Sequence, residues 1–255
     1  MIRIFKYVVY DLLHSRFMQG YTLALFAITL GLFQLEADSG KAILSLINII
    51  LFFIPLVCLI FSTIYYYNSL EFTELLLVQP ITRKSIIGGQ LAGVGAAFSL
   101  SFFMGVGFPV ALFAANAVGF TLVVAGWLMT LVFVALAFFI SVLRRDKAQG
   151  IGFGLLVWFY FALLYDAILL FLLFAFNDYP IEKWVLPLAS LNPVDLARIM
   201  ILLQLDLAAL MGYSGAVYKE FFGSALGFFY TLGCISVWII VPAWLTIQKF
   251  NRKDF

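Results

Sequence analysis

The chain has 255 residues, of which 65% are hydrophobic and 11% are charged, and its formal net charge is +2. Soluble domains are about 45–50% apolar and about 25% charged, so a water-soluble core of this length cannot bury so much apolar surface. The composition therefore excludes a soluble globular protein. It predicts an all-α polytopic membrane protein with a single transmembrane domain over residues 1–255, because lipid leaves backbone groups to be satisfied within helices.

The first sixteen residues predict a helix that precedes the membrane spans. Its apolar side chains recur at helical spacing, and its basic residues lie off that stripe or at its edge. The stripe consists of Ile2, Phe5, Val9 and Leu12, and the basic residues are Arg3, Lys6 and Arg16. We expect an interfacial helix over 1–16 with its apolar side in the lipid. A plain cytoplasmic extension of the first span is the alternative.

Six apolar stretches are each long enough to cross a bilayer, which takes roughly 20 helical residues. They cover residues 17–35, 42–66, 86–113, 119–142, 150–176 and 224–248. Pro55 and Pro109 fall inside two of these stretches, and we expect each proline to kink or interrupt its helix. Glycines four positions apart predict helices in close contact; two such pairs lie within the predicted spans, Gly89 with Gly93 and Gly150 with Gly154.

The distribution of lysine and arginine predicts the orientation of the spans. With the N-terminus in the cytoplasm, eleven of the fifteen basic residues lie in cytoplasmic segments and four lie in outer loops. The four outer residues are Lys41, Lys183, Arg198 and Lys219. An even number of spans returns the basic C-terminus to the cytoplasm, so we expect both ends of the chain to be cytoplasmic.

The connection 68–85, between the second and third spans, carries the stretch EFTELLLVQPITRK at 71–84. Thr73 and Glu74, followed by three leucines, favour a short amphipathic helix parallel to the membrane, and Pro80 is expected to end it. A short helix with charges on one side and leucines on the other is suited to bind a cytoplasmic partner that drives the protein. The alternative is a plain interfacial connector.

Asp166 is an exception among the apolar interiors, because it lies near the middle of the fifth span, in FALLYDAILLF. A carboxylate within a membrane costs about 3 kcal/mol on insertion scales, so it usually faces the bundle or a wet cavity. One interpretation places Asp166 on a transport path, as a substrate or proton contact. The other is structural, with the carboxyl group protonated, paired or at a subunit interface.

The outer loop 177–223 predicts a capped helix. Asn192 followed by Pro193 is a strong helix start, with the asparagine as N-cap and the proline in the first turn. An apolar stripe follows, formed by Leu196, Ile199, Leu203 and Leu207. A helix of roughly 14 residues is too short to span, so we expect it to lie on the outer membrane surface or to dock on a partner. The residues expected to contact a periplasmic partner are Asn192, Asp195, Arg198 and Asp206.

Motifs for chemistry are absent from the sequence. It has no GxxxxGK[ST] phosphate-binding loop, and its single histidine, His14, cannot build a zinc motif or a Ser-His-Asp triad. Cys58 and Cys234 lie inside apolar runs and are expected to be small buried residues. We therefore predict a non-enzymatic chain with no catalytic residue, no metal site, no cofactor of its own and no nucleic-acid partner.

The stretch EFTELLLVQPITR at 71–83, placed after the second of six spans, resembles the signature of type-2 ABC-exporter permeases. The resemblance extends to the six spans, the N-terminal helix and the outer loop. It implies a coupling helix that docks on a separate ABC ATPase subunit, which holds ATP and Mg, beneath a homodimer of permeases in the bacterial inner membrane. The residues that take this coupling role are Glu71, Thr73, Glu74, Leu75, Leu76, Pro80 and Arg83. Phe72 departs from the pattern, since many members have glycine there.

A narrower resemblance comes from the outer loop, where LNPVDLARI and LDLAALMGYSGAVY are similar to permeases that serve the maturation of nitrous oxide reductase. This resemblance implies a periplasmic β-helix protein as partner. The implied role is assembly of the copper–sulfur centre of the reductase, by export of a sulfur species or by transmission of force. Two rivals stay open: an ABC exporter of a lipid, drug or peptide, and a proton-coupled secondary transporter that uses Asp166.

Overall fold

A computed structural model of the chain describes residues 1–36, 39–175, 187–204 and 225–252. Within these residues all regular structure is helical and no strand occurs, as the composition predicts. The helices are α1 (Ile2–His14), α2 (Arg16–Leu35), α3 (Ser39–Asn68), α4 (Leu70–Leu77), α5 (Arg83–Phe102), α6 (Phe108–Phe113), α7 (Ala117–Leu143), α8 (Lys147–Phe159), α9 (Tyr165–Ala175), α10 (Pro193–Gln204) and α11 (Ala225–Asn251).

Six helical stretches of the described residues are long and apolar enough to cross a membrane, which confirms the predicted fold. They are Arg16–Leu35, Gly40–Asn68, Arg83–Phe113, Ala117–Leu143, Lys147–Leu172 and Phe228–Asn251. Each lies within about one helical turn of its predicted bounds. Several begin with basic residues, such as Arg83 and Lys147, because a helix continues beyond the apolar stretch that identified it.

Two of these spans contain a π-helical turn. Phe103–Gly107 joins α5 to α6, and Tyr160–Leu164 joins α8 to α9. The first lies just before Pro109, whose missing N–H is incompatible with a regular α-helix at that point, so the expected interruption occurs. At Pro55 α3 continues as one helix. The turn Tyr160–Leu164 contains no proline, and no sequence pattern predicted it.

The central element of the bundle is α7. It contains no charged residue, it has the largest buried share of the six spans, and it packs against α3, α5, α8, α10 and α11. Large aromatic side chains on it, including Phe133 and Phe138, are fully buried. The fifth span lies at the other extreme, since most of its surface is exposed in a single copy of the chain.

The N-terminal helix α1 packs lengthwise along the first turns of α5. A Cβ atom added at Gly89 would lie 3.1 Å from Cβ of Ile4, and one added at Gly93 would lie 2.7 Å from Cβ of Val8. The contact advances four residues on both helices, so they run parallel at a separation that only glycine allows. The face of α1 that packs against α5 is thus formed by Ile4 and Val8, which do not belong to the stripe expected to face the lipid. The interfacial position of α1 stays a prediction.

The second glycine pair lies between α8 and α3. A Cβ atom at Gly150 would lie 2.6 Å from Oη of Tyr67, and one at Gly154 would meet the side chain of Leu59. The hydroxyl of Tyr67 also donates to the carbonyl of Arg144 (3.2 Å), just after the last turn of α7. Both glycine pairs therefore serve helix packing, as expected.

Two further contacts show which helix ends lie together. Nη1 of Arg83 donates to the carbonyl of Asn251 (3.3 Å), and Nζ of Lys147 donates to Oδ1 of Asn68 (2.9 Å). The start of α1, both ends of α4, the turn between α7 and α8 and the end of α11 thus share one end of the bundle. We call it the termini end, and α10 packs toward the opposite end.

Candidate functional site

The helix α4 presents two different faces at the termini end. Thr73 and Leu76 point inward and are 1% and 8% exposed. Glu71, Glu74 and Leu75 point outward and are exposed. The helix ends at Leu77, and a turn carries the exposed Pro80 and leads to Arg83 at the start of α5. The residues expected to contact an ATPase therefore divide into an exposed group and a buried pair, which the sequence alone did not separate.

A hydrogen-bonded chain holds the buried face of α4 to its neighbours. Oγ1 of Thr73 donates to the carbonyl of Ser69 (2.7 Å) and accepts from Nε2 of Gln90 on α5 (2.8 Å). The hydroxyl of Ser69 donates to the carbonyl of Tyr66 in α3 (3.0 Å). Polar contacts are stronger in a buried environment than in water, so this chain ties α4 to two spans.

An aromatic contact connects α4 with α1. The rings of Phe72 and Tyr7 are stacked, with their centroids 5.2 Å apart and their planes 28° apart. Phe72 is the residue that departs from the family pattern. Its ring therefore has a role here that glycine does not provide, because it joins the N-terminal helix to the exposed helix at the termini end.

A second polar site lies where α10 enters the bundle. Residues 192–197 are all buried. Oδ1 of Asn192 accepts from the backbone N–H of Val194 (3.0 Å), which confirms the predicted N-cap. Nδ2 of the same side chain donates to the carbonyl of Phe161 (3.0 Å), within the π turn of the fifth span. Nearby, the hydroxyl of Tyr165 donates to the carbonyl of Leu188. The start of α10 is therefore fastened to the fifth span.

Arg198 of α10 completes this attachment with two ion pairs. Its Nη1 lies 2.6 Å from Oδ2 of Asp166 and 3.2 Å from Oδ1 of Asp195. Asp166 lies two residues after the end of the π turn, so the same segment of the fifth span supplies both the carbonyl and the carboxylate. Of the interpretations left open for Asp166, the structure shows the paired one.

Two carboxyl groups share one guanidinium in this cluster, and the pKa of Asp195 is raised there. Burial of Asp195 is the largest cause, and its hydrogen bond and charge interaction with Asp166 come next. Arg198 and Asn192 act in the opposite direction, and the resulting pKa is about 8. A raised pKa is the usual result when two carboxyl groups lie together, because a shared proton removes their repulsion.

The expected surface position of α10 is wrong for its first turns. Asn192 and Asp195 are buried and Arg198 is engaged by two carboxylates, so these side chains bind the bundle in this structure. Asp206 lies outside the described residues. The sequence signal that could have indicated the pairing was an acid in an apolar span together with an arginine in an apolar helix, since each is costly alone.

The described residues contain no group of three or more His, Cys, Asp or Glu side chains that could hold a metal ion. Both cysteines are free; Cys58 is buried and Cys234 is half-buried. The polar chemistry at the two sites consists of hydrogen bonds and ion pairs between helices. Such an arrangement can bind a partner and fix or transmit the position of helices.

Comparison with known proteins identifies the class to which this fold belongs. The model of the ABC-2 family of transporter proteins matches residues 14–255, so the chain belongs to that family and is an ABC transporter permease. It is 27% identical to the probable ABC transporter permease protein NosY of Stutzerimonas stutzeri over an alignment of 281 positions, with 95% of each chain covered. It is 29% identical over 185 aligned residues to the protein of the same name from Pseudomonas aeruginosa strain PAO1, with 66% of each covered.

Proposed function

We propose that the chain is the permease subunit of an ABC transporter in which α4 is the coupling helix for a separate, NosF-like ATPase subunit. ATP and Mg belong to that partner. The observation that carries the proposal is the division of α4 into two faces. Its exposed face offers Glu71, Glu74 and Leu75 to a partner, whereas Thr73 and Leu76 join it to the bundle. Movement of the partner can thus reach the membrane spans.

The active assembly is a homodimer in the bacterial inner membrane, with both chain ends in the cytoplasm. The basic residues gathered at the termini end support this orientation, because they favour the cytoplasmic side. The fifth span supports the dimer. Asp166 on this span and Arg198 on α10 are 28% and 32% exposed, and a charged pair in contact with lipid is costly. A second copy or an aqueous path between copies relieves that cost.

The assembly serves copper-site maturation of nitrous oxide reductase, together with a NosD-like periplasmic β-helix protein. Support comes from the names of the two relatives and from the resemblance of the outer loop. Within the described residues no cluster of metal ligands occurs. Export of a sulfur species, or transmission of force to the periplasmic partner, therefore fits the chain better than transport of copper. The periplasmic contact falls to the part of the loop beyond the buried start of α10, including Asp206.

One observation favours a second function, the export of a lipid or another amphiphile. An apolar groove of about 470 Å³ lies between α5, α7 and α11, lined by residues that include Ala92, Gly95, Leu131 and Ile239. Its size and apolar lining suit an acyl chain. The proton-coupled alternative is weaker, because Asp166 is paired with Arg198 at 2.6 Å and is not a lone acid.

Co-purification tests the coupling role. The exposed pair Glu71→Lys and Glu74→Lys should release the ATPase subunit and leave thermal unfolding unchanged, because neither side chain supports the fold. Glu36→Lys is the matched control, since it makes the same charge reversal at the opposite end of the first span. Retention of the ATPase by the doubly reversed chain excludes α4 as its docking site.

Complementation tests the maturation role. In Stutzerimonas stutzeri without its own NosY, this chain should restore nitrous oxide reduction when its ATPase partner is supplied. The Glu71→Lys/Glu74→Lys chain should not restore it. Failure of the unmodified chain, with the ATPase bound and active, favours the exporter of an amphiphile.

A further inference from the structure

Gln90 is a polar side chain in the buried part of the third span, and its hydrogen bond to Thr73 belongs to the attachment of α4 described above. It lies on α5 and is 1% exposed. Its Nε2 donates to Oγ1 of Thr73 (2.8 Å), whereas its Oε1 is buried and has no hydrogen-bond partner. Buried acceptors without a donor are uncommon and costly, and each one calls for an explanation.

The surrounding hydrogen bonds determine which way the amide faces. The hydroxyl hydrogen of Thr73 is given to the carbonyl of Ser69 at 2.7 Å. The oxygen of Thr73 is therefore left as an acceptor, and the NH₂ group of Gln90 must face it. The unpartnered Oε1 thus follows from the two hydrogen bonds of Thr73.

Turning the amide over does not give both of its ends a partner. The hydroxyl of Thr73 could then donate to Oε1, but the NH₂ group would occupy the buried position where Oε1 has no partner and would itself lack an acceptor. In either orientation Thr73 is the one hydrogen-bond partner that the described residues give this amide.

We propose that Gln90 is the positioning residue through which α4 moves the third span. The inference rests on the proposed coupling role of α4. The structure supports it with a direct hydrogen bond from a membrane span to the buried face of the helix. The other end of the amide has no partner among the described residues, so its contact with Thr73 is the reason that the structure gives for a buried amide at this position.

Gln90→Met tests the proposal, because methionine has nearly the same length and no polar atoms. It removes the link to Thr73 and also the unpaired acceptor, so the thermal unfolding midpoint should stay the same or rise. Amide hydrogen exchange over 70–77, measured on the chain alone in lipid nanodiscs, should become about three- to tenfold faster, as expected when one buried hydrogen bond is lost. Gln19→Met, at an exposed glutamine of α2, is the matched control and should change neither quantity.

The second measurement uses the assembled complex and compares its ATP hydrolysis with that of the isolated ATPase subunit. Gln90→Met should keep the ATPase bound but lower the stimulation by about three- to tenfold. Unchanged exchange over 70–77 overturns the proposal, and so does a fall in midpoint that accompanies the loss of stimulation, since that indicates a structural residue. If the unmodified chain does not bind an ATPase, the coupling function fails, and the exchange measurement still decides whether Gln90 holds α4.

Discussion

The helices α4 and α10 lie toward opposite ends of the bundle and use their charged residues in opposite ways. On α4 the acidic residues Glu71 and Glu74 are exposed, and the helix is attached by neutral groups of Thr73 and Gln90. On α10 the charged residues Asp195 and Arg198 form the attachment itself, together with Asp166. One helix keeps its charges for a partner, whereas the other uses them to bind its own chain.

This difference has consequences for movement. A neutral hydrogen bond contributes about 1 kcal/mol net, so an element attached in this way can change position at low cost. Removing Arg198 leaves two carboxyl groups without their cation, one of them the buried Asp195, so this attachment costs more to break than the neutral one. The attachment of α4 thus suits a moving part, and the attachment of α10 suits a fixed connection between the outer helix and the fifth span.

The largest expected effect concerns two neighbouring leucines of α4. Leu76→Asp places a carboxylate at a position that is 8% exposed, whereas Leu75→Asp places the same group at a position that is 68% exposed. Leu76→Asp should destabilise the chain by about 4 kcal/mol, from lost burial and the cost of a buried charge. Leu75→Asp should leave stability unchanged and weaken ATPase binding. Thermal unfolding in detergent and co-purification measure the two effects.

Equal loss of stability in both variants would mean that the two faces of α4 are not distinct, and the comparison with α10 would lose its basis. A helix whose charged face supports the fold is not free to serve a partner. Leu75→Ala is a useful control, because it removes the exposed side chain without adding a charge. It should keep stability and reduce ATPase binding less than Leu75→Asp does.

The next effect concerns the ion pair at α10. Arg198→Leu leaves Asp166 and Asp195 without a cation and should destabilise the outer part of the bundle by about 3 kcal/mol. Asp166→Leu combined with Arg198→Leu should recover most of that loss, because an apolar pair replaces the charged one. Thermal unfolding of the three proteins measures this. If the double variant is as unstable as Arg198→Leu, the pair between Asp166 and Arg198 does not hold α10.

The contrast between the two helices also marks the limit of prediction from sequence. The spans and α4 were predicted because hydropathy and local spacing determine them, and the N-cap at Asn192 is a local pattern as well. Which of Leu75 and Leu76 faces inward depends on the direction in which the chain leaves α3. The pairing of Asp166 with Arg198 depends on how the start of α10 packs against the π turn of the fifth span, and no local pattern encodes either feature.

The last effect is a dependence on pH that belongs to the α10 cluster. Burial and the neighbouring Asp166 raise the pKa of Asp195 to about 8, whereas an unfolded aspartate has a pKa of about 3.9. Between these values the folded chain keeps a proton that the unfolded chain has lost. Its stability should therefore fall as pH rises from about 4 to about 8, by at most about 1.4 kcal/mol per pH unit.

Asp195→Asn has no proton to lose and should show a flatter dependence, and unfolding midpoints measured across this range compare the two proteins. Glu74→Gln is the matched control on α4 and should keep the slope of the unmodified chain. If Asp195→Asn also keeps that slope, the proton is not held at Asp195, and the cluster at α10 differs from α4 in its contacts but not in its protonation.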